Sequence, residues 1–600
     1  MTWKTPSIGQ ESPVADFERD PPSNLKAAQS PLGSFLSLVK KLPYSGLATD
    51  KAEFRRRLDS FEKSLRAWSV KDAKPGLPVL VSLQGGTGTG KSTLFNALAG
   101  RPLSRTGVER PKTRGPILYV HEEESSWLEG ENLLSGYVGD RTRERPGSAP
   151  ELGDPSRLRM LEHRDPRWKG LILIDTPDVD SLAEANRAIA EDIYIASDVV
   201  CLVTSQEKYG DLAPFEVLRR SWEDAKTCCV ILNKMESLTP LGELAERLSQ
   251  HASPSFRATH LFALPWKDGP SPDESLAKEP EIDRLRQTLR ELGCGPAAPA
   301  RTQEMAALKQ RLMRTASALA GLLQAERETA DALAAKWERT IGDLKKELLR
   351  RSSGALDGAS RQHLRTEVQR VFRRYDLLRG PRTFVTRILT APLALFGYGK
   401  PPDAEQRRRD LARIHRRIDL QPLQASVRTY NRRAQQDAMG MGRDRLRELF
   451  SDPGLALTEE EVESAFFQRQ AELEDWLEKE FTSMAKGISK GKEWGIYSTA
   501  LLWGLFLVIF EAIIGGGLTL FEAVLDSIIM PFISRGAADL FAYQELKRLG
   551  QALDTRYREQ LASVLDLQHA RYLKALNDHA PQKSDLDLLH KVLEEMNENT

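Results

Sequence analysis

Apolar and polar positions along the chain follow two regimes that meet near residue 300. Before that point, short apolar runs alternate with stretches of three-and-four spacing. The runs are Val79–Leu83, Pro116–Val120, Leu171–Ile174, Val199–Val203, Cys228–Leu232 and Leu261–Leu264. Strand and helix in alternation predict an α/β domain, a mostly parallel sheet with helices on both faces. A leading amphipathic helix is predicted over Phe54–Trp68, where Phe54, Leu58, Phe61 and Leu65 share one face. Residues 1–45 are rich in Pro, Ser and Gly without periodicity and predict a disordered tail.

Beyond residue 300 the period is helical. No proline occurs between Thr302 and Arg379, and Leu308, Leu312, Leu319, Leu323, Ala330, Leu333, Trp337, Ile341, Leu344 and Leu348 recur at helical spacing. One or two long helices follow, packed in a bundle or on a partner. The same pattern returns over Leu411–Leu449, Glu459–Lys486 and Leu540–Asn577.

One interruption is apolar. Gly495–Phe510 carries no charge; Glu511, Ala512–Phe521, Glu522, Asp526 and Ile528–Ile533 follow. The flexible Gly515–Gly517 point makes this a hairpin. Its first arm, Gly495–Ile514, is 20 residues, about 30 Å as a helix and enough to cross hydrocarbon. The second arm, Leu518–Ser534, is shorter and carries two acids, which are expensive in a membrane. Lys486, Lys490 and Lys492 before it and Arg535, Lys547 and Arg548 after it put both ends on the cytoplasmic side. Trp494, Tyr497 and Trp503 suit the membrane interface. A buried hairpin within the helical core is the competing reading, stronger for the second arm.

Length and charge refine this picture. A chain of 600 residues exceeds one core, so two or more domains are predicted. The 86 basic and 85 acidic residues give a net charge of +1, which offers no whole-chain case for nucleic acid. Between Arg361 and Arg417, however, 15 Lys/Arg face 5 Asp/Glu, around the apolar stretch Phe384–Gly399. Such a patch suits an anionic bilayer surface, and a solvated face of the bundle equally. Nucleic acid ranks lower, because no basic run interleaved with aromatics is present. Four cysteines are too few for a disulfide scaffold and have no zinc spacing. The first residues have no apolar core of a secretory signal, so the chain reads as intracellular.

The chemistry is carried by Gly85–Ser92, GGTGTGKS, which matches G-x-x-x-x-G-K-[ST] with a strand running in and a helix running out. Glycines there let successive backbone N–H groups turn around phosphate oxygens, and the helix N-terminus adds positive potential. Gly85, Gly86, Thr87, Gly88, Thr89, Gly90 and Thr93 line this site. Lys91 is predicted to reach the β- and γ-phosphates and Ser92 to ligate Mg²⁺. Asp175-Thr176-Pro177-Asp178 and Asn233-Lys234-Met235-Glu236 follow, each at the C-terminal end of a strand, where ligands bind in open α/β sheets. Asp175 is placed to hold Mg²⁺ through water. The second tetrapeptide resembles the guanine motif Asn-Lys-x-Asp, whose carboxylate accepts from guanine's N1 and N2.

Three motifs in this order resemble the translation-factor-related P-loop GTPases, and within them the Era-like and dynamin-like branches; GKSTLFNALAG is similar to their first motif. The resemblance spans roughly Pro78–Gly295 and implies binding of GTP or GDP with Mg²⁺ and hydrolysis of GTP. It also implies a switch threonine that closes over Mg²⁺ and the γ-phosphate, assigned to Thr113 in PKTRGP with Thr106 as runner-up. The motif beneath the base is assigned to Ala263. Four departures stand out. Asp178 occupies the position of the γ-phosphate-sensing glycine, and Glu236 that of the guanine-reading Asp. Val179 stands where a glutamine would position water, and Thr87 where dynamin-like proteins have a P-loop glutamine. A slow intrinsic rate, helped by a partner or a second copy, is expected.

Together these readings predict a disordered tail over 1–45, a G domain with its leading helix over 46–299, and a helical stalk over 300–493 containing the basic stretch 361–417. A membrane hairpin over 494–534 and returning helices over 535–600 complete the arrangement. It resembles membrane-associated dynamin-like GTPases, which implies homo-oligomers through G domain and stalk. The alternatives are a membrane-tethered switch or scaffold with little turnover and, ranked lower, an Era-like GTPase acting on RNA.

Overall fold

The computed structural model describes residues 30–104, 116–128, 134, 138–143, 158–177, 184–205, 212–236, 260–267, 271–293, 299–354, 418–440, 449–488, 513, 521–522 and 537–598. Eight strands form one sheet: β1 Val79–Gln84, β2 Ile117–His121, β3 Val138–Arg143, β4 Leu158–His163, β5 Leu171–Asp175, β6 Val199–Ser205, β7 Thr227–Met235 and β8 Leu261–Pro265. Their order is β3-β4-β2-β5-β1-β6-β7-β8. Neighbours are parallel except β2 and β5, which pair antiparallel from Ile117↔Asp175 to Tyr119↔Leu173.

β1, β5 and β6 are buried along their whole length. Helices cover both faces, which is why these strands read as unbroken apolar runs. Their side chains still divide by alternation. Leu80, Ile172 and Ile174 meet Ile189 and Ile193 of the Glu184–Ala196 helix. Val81, Leu83 and Leu173 pack with Leu94, Phe95 and Leu98 of the Lys91–Ala99 helix and Leu285 and Leu289 of Pro280–Gly293. Six strands follow the sequence pattern; β3 and β4 extend it at the edge. β3 reads VGDRTR, with no apolar period to reveal it. β4 buries Glu162 and His163 beside Leu158 and Leu161, so its polar letters hide a core strand.

His163 pairs with His121 across β4 and β2 and stacks on Tyr119 with centroids 3.9 Å apart. Its Nδ1 accepts the Asp165 backbone N–H at 3.1 Å. Burial, reinforced by His121, lowers its pKa to about 4. The native state therefore holds a neutral imidazole, whereas the unfolded chain takes up a proton near pH 6.5. Stability is full above pH 6.5 and falls as pH drops toward 4, by up to about 3 kcal/mol. His163→Asn, which keeps an acceptor for Asp165, is expected to flatten that slope in urea unfolding; parallel slopes for the two proteins would contradict the assignment.

At the end of the central strands opposite the phosphate loop, just before β6, Asp198 is fully buried. Its carboxylate accepts from Lys71 Nζ at 2.8 Å, Arg301 Nε at 2.7 Å, Arg301 Nη2 at 2.8 Å and the Leu80 N–H at 2.8 Å. Burial alone would raise its pKa, but Lys71 and Arg301 outweigh that and hold it below the ordinary value. Lys71 belongs to the Lys51–Ala73 helix and Arg301 to Pro299–Gly354, so one carboxylate ties both helices to the sheet.

The chain divides into two compact units: residues 1–42, 51–323 and 583–600 in the first, and 43–50 and 324–582 in the second. Three differences from the sequence boundaries result. Residues Pro31–Lys41 are a helix and not a tail: the Ser30 side chain accepts the Gly33 N–H, Pro31 begins the first turn, and Leu32, Phe35, Leu36 and Val39 are buried. The Ser- and Pro-rich composition around it conceals this face. The leading helix is longer than expected, Lys51–Ala73. Lys583–Glu598 buries Leu586, Leu589, Leu593 and Met596 within the first unit and not with the bundle. The division itself falls after Leu323, inside the single 56-residue helix Pro299–Gly354.

In the second unit, Trp337, Tyr430, Phe450 and Tyr572 form an aromatic centre among the Pro299–Gly354, Gln421–Met439 and Ala537–Asp578 helices. Tyr430 Oη lies 2.7 Å from His569 Nδ1, and His569 Nε2 lies 2.8 Å from Glu338. Glu326 is buried and accepts four successive N–H groups, from Ser45, Gly46, Leu47 and Ala48, at 2.8–2.9 Å. This carboxylate, together with Leu47 in the apolar core, holds the short 43–50 segment in the unit.

No helix among the described residues is long and apolar enough to cross a membrane. The hairpin expected over 494–534 lies outside the described residues apart from Ile513, Phe521 and Glu522. Of these, Ile513 and Phe521 are buried, and Phe521 covers Gly550 so closely that a Cβ there would overlap its ring. The basic stretch 361–417 also lies outside the described residues.

Candidate nucleotide site

β1 delivers the chain to Gln84, and a helix begins at Lys91. The loop between them needs glycine for two reasons. Gly88 and Gly90 have φ of 78° and 90°, the left-handed region that glycine adopts without strain. At Gly85 and Gly90 a Cβ would overlap the Val203 carbonyl oxygen and the Asn233 Nδ2 respectively. Lys91 is buried, and its ammonium donates to the Gly85 and Gly86 carbonyls at 2.8 and 3.0 Å. The Thr89 hydroxyl donates to the Gly86 carbonyl at 2.9 Å. Thr87 and Gly88 form the more open tip, and Thr93 lies half-buried one turn into the helix.

Asp175 ends β5 and is fully buried. Its Oδ2 accepts from Ser92 Oγ at 2.8 Å and from Ser104 Oγ at 2.8 Å. The Thr176 hydroxyl donates to the Leu83 carbonyl, fixing the next residue against β1. Two hydroxyls on one carboxylate make a compact set of hard oxygen donors, the kind Mg²⁺ takes. Ser104 was not among the residues read from sequence. It is brought in by Asn96, whose Oδ1 accepts the Leu103 and Ser104 N–H groups at 2.9 and 2.8 Å while Nδ2 donates to the Ser104 carbonyl at 2.8 Å and Asp273 at 3.2 Å. A single Asn within the apolar run TLFNALAG is the one trace of this brace in the sequence.

Asn96→Ala removes the acceptor of the buried Ser104 amide and the donor to the Ser104 carbonyl, and leaves the Leu103 amide only the Arg101 carbonyl at 3.0 Å. A loss of about 2–4 kcal/mol is expected in thermal or urea unfolding. A change below about 0.5 kcal/mol would show that the 101–104 loop is held by something else.

The guanine-like motif lies against the same loop. Asn233, paired with Ser205 near the end of β7, donates from Nδ2 to the Thr89 carbonyl at 2.9 Å. Lys234 is one of two described non-glycine residues with positive φ, at 59°. That backbone swing carries its ammonium to the Gly88 carbonyl, 2.8 Å away. Residues 144 positions apart in sequence thus share one corner. A left-handed non-glycine residue costs of order 1–3 kcal/mol and is held only where its surroundings demand it. Glu236 is exposed just beyond β7.

Ala263 is placed differently from expectation. It packs with Leu232, Val230 and Leu218 in a buried apolar cluster and pairs with Leu232. β8 continues to Pro265, and the residue that reaches the Asn233–Lys234 turn is Trp266. Its N–H donates to the Met235 carbonyl at 3.0 Å, and the Lys234 ammonium lies 4.9 Å from its ring centroid. Thr113, Thr106, Asp178 and Val179 lie outside the described residues.

Strand, phosphate loop and helix, with a hydroxyl–carboxylate corner and an Asn-Lys turn on the same loop, define a P-loop nucleotide-binding domain. Residues 80–234 match the family described as 50S ribosome-binding GTPase. The first unit therefore contains a P-loop GTPase domain, a guanine-nucleotide-binding fold, and the chain continues from it into long helices. No curated protein matches the chain. Two solved structures are similar in outline, both described as an oligomerised bacterial dynamin pair for long-range sensing and tethering of membranes. One is 11% identical, with 96% of each chain covered and a TM-score of 0.39. The other is 12% identical, covers 97% of this chain and 96% of its own, and has a TM-score of 0.36.

Proposed function

We propose that the protein is a dynamin-like GTPase that binds GTP with Mg²⁺, hydrolyses it slowly as a monomer and faster when assembled, and acts at a membrane. The observation that carries the nucleotide part is the convergence of Lys91, Ser92, Asp175, Asn233 and Lys234 on one glycine loop. Lys91 is assigned to the β- and γ-phosphates, exchanging its two carbonyl partners for phosphate oxygens. Ser92 and Asp175, with Thr113 from the switch segment, are assigned to Mg²⁺, which when bound neutralises charge on the phosphate oxygens. Asn233 and Lys234 hold the base end of the pocket against the loop. Glu236 supplies the carboxylate for guanine with a longer arm than Asp, so selectivity for guanine over inosine is expected to be modest.

Slow hydrolysis follows from what the chain lacks near the γ-phosphate. Asp178 adds a negative charge where a glycine is usual, and Val179 cannot orient water. A second copy is the proposed source of the missing group. The membrane part is supported by the uncharged arm Gly495–Phe510, the flanking lysines and arginines, and the basic–apolar stretch 361–417. Anionic lipid is the lipid class these charges favour, with both ends of the hairpin on the cytoplasmic side.

Nucleotide affinity measured with and without Mg²⁺ tests the first half: GDP and GTP are expected to bind, ATP at least about tenfold more weakly. Equal binding of ATP would remove the guanine assignment. Flotation with liposomes tests the second half, with anionic vesicles carrying the protein upward and neutral ones doing so less. A ribosome-directed role is the second reading, favoured by the description of the matched family and the basic stretch; salt-sensitive RNA retention without flotation would favour it.

A further inference from the structure

We propose that Trp266 is the stacking wall of the base pocket, covering the flat face of the bound purine and contributing affinity without choosing between bases. The inference deepens the nucleotide reading above and rests on it. Exposed large apolar side chains among the described residues are Trp266, Met439, Leu567 and Leu588, and Trp266, 48% exposed, is the aromatic one. An indole left half in water offers apolar surface to a ligand, and here it stands beside the Asn233–Lys234 turn of the nucleotide site. Two contacts fix it there. Its backbone N–H bonds the Met235 carbonyl at 3.0 Å, which extends the β7–β8 ladder one residue past Pro265. Its ring faces the Lys234 ammonium at 4.9 Å, and that ammonium in turn donates to Gly88 of the phosphate loop at 2.8 Å. Lys234 therefore spans from the phosphate loop to the indole, and a base that lies beside Lys234 and Asn233 has Trp266 next to it.

The chemistry of the ring decides the role. An indole presents a π-face and a single N–H donor, so it can lie on any purine but has no acceptor with which to read guanine's amino group. Stacking of a base on an aromatic ring is worth roughly 1–3 kcal/mol and tolerates any base. Recognition of the 2-amino group remains with Glu236. The two residues thus divide affinity from selectivity, which also explains how a pocket with Glu in place of Asp would retain its nucleotide.

The test compares GDP with IDP, which lacks the 2-amino group, on the full chain, by calorimetry and by tryptophan emission. Trp266→Ala is expected to weaken both nucleotides by about tenfold and leave their ratio unchanged. Trp266→Phe is expected to stay within about threefold of wild type. GDP should quench a component of emission that Trp266→Phe lacks; this readout holds even if the alanine variant folds poorly. Wild-type affinity in Trp266→Ala, an identical quench in Trp266→Phe, or a shifted GDP-to-IDP ratio would each overturn the stacking role while leaving the GTPase reading intact. No GDP binding by wild type would overturn both.

Discussion

Lys91→Ala is expected to lower GTP turnover at least about 100-fold, the scale on which removal of one charge-stabilising donor from a phosphoryl-transfer or acyl-transfer site is felt. The reason lies in how the ammonium is held. It is buried and already enclosed by the Gly85 and Gly86 carbonyls at 2.8 and 3.0 Å, so it costs little reorganisation when phosphate oxygens take their place. Alanine would take the ammonium from both carbonyls, Gly86 keeping the Thr89 hydroxyl, and would leave the phosphate without its cation. Nucleotide affinity should fall as well, because the same charge acts on the ground state. Steady-state phosphate release reads the first effect and equilibrium binding the second. Turnover within tenfold of wild type would mean that Lys91 is not the phosphate-binding group.

The second large effect is on stability. Asp198→Ala would strand Lys71 and Arg301 with no counter-charge, although both are buried on the carboxylate they share. Breaking a buried pair by removing one partner costs about 3–5 kcal/mol, more than the pair itself contributes. The loss should show as a lower midpoint for the first unit in urea, with the aromatic core of the second unit unfolding as before. A double replacement of Asp198 and Lys71 by apolar residues should recover part of it. A shift under about 1 kcal/mol would show that water reaches the site and screens the charges.

Much of the first unit was legible because buried strands read as unbroken apolar runs: β1, β2, β5, β6, β7 and β8 could be found that way. β3 could not, since VGDRTR carries no apolar period, and β4 could not because Glu162 and His163 are polar letters in a buried place. The Pro31–Lys41 helix was hidden in a Ser- and Pro-rich background that outvoted Phe35, Leu36 and Val39. In the site, the phosphate loop and the Asn233–Lys234 turn were visible as local words. Ser104 and Trp266 were not, because each arrives by the path of the chain: Ser104 through the Asn96 brace, Trp266 because β8 runs two residues beyond Ala263 before it turns. A motif records residues that neighbour each other in sequence, while a pocket is closed by whichever side chains the topology returns to it.

We propose that this GTPase is activated by assembling on a membrane. GTP turnover of the full chain, measured across protein concentration with and without anionic liposomes and with Lys91→Ala as the blank, tests it most directly. The expected result is a specific rate that is low but well above the blank in dilute protein, climbs with protein concentration and climbs further with lipid. A specific rate that stays flat with concentration and lipid, whether high or at the level of the blank, would contradict it.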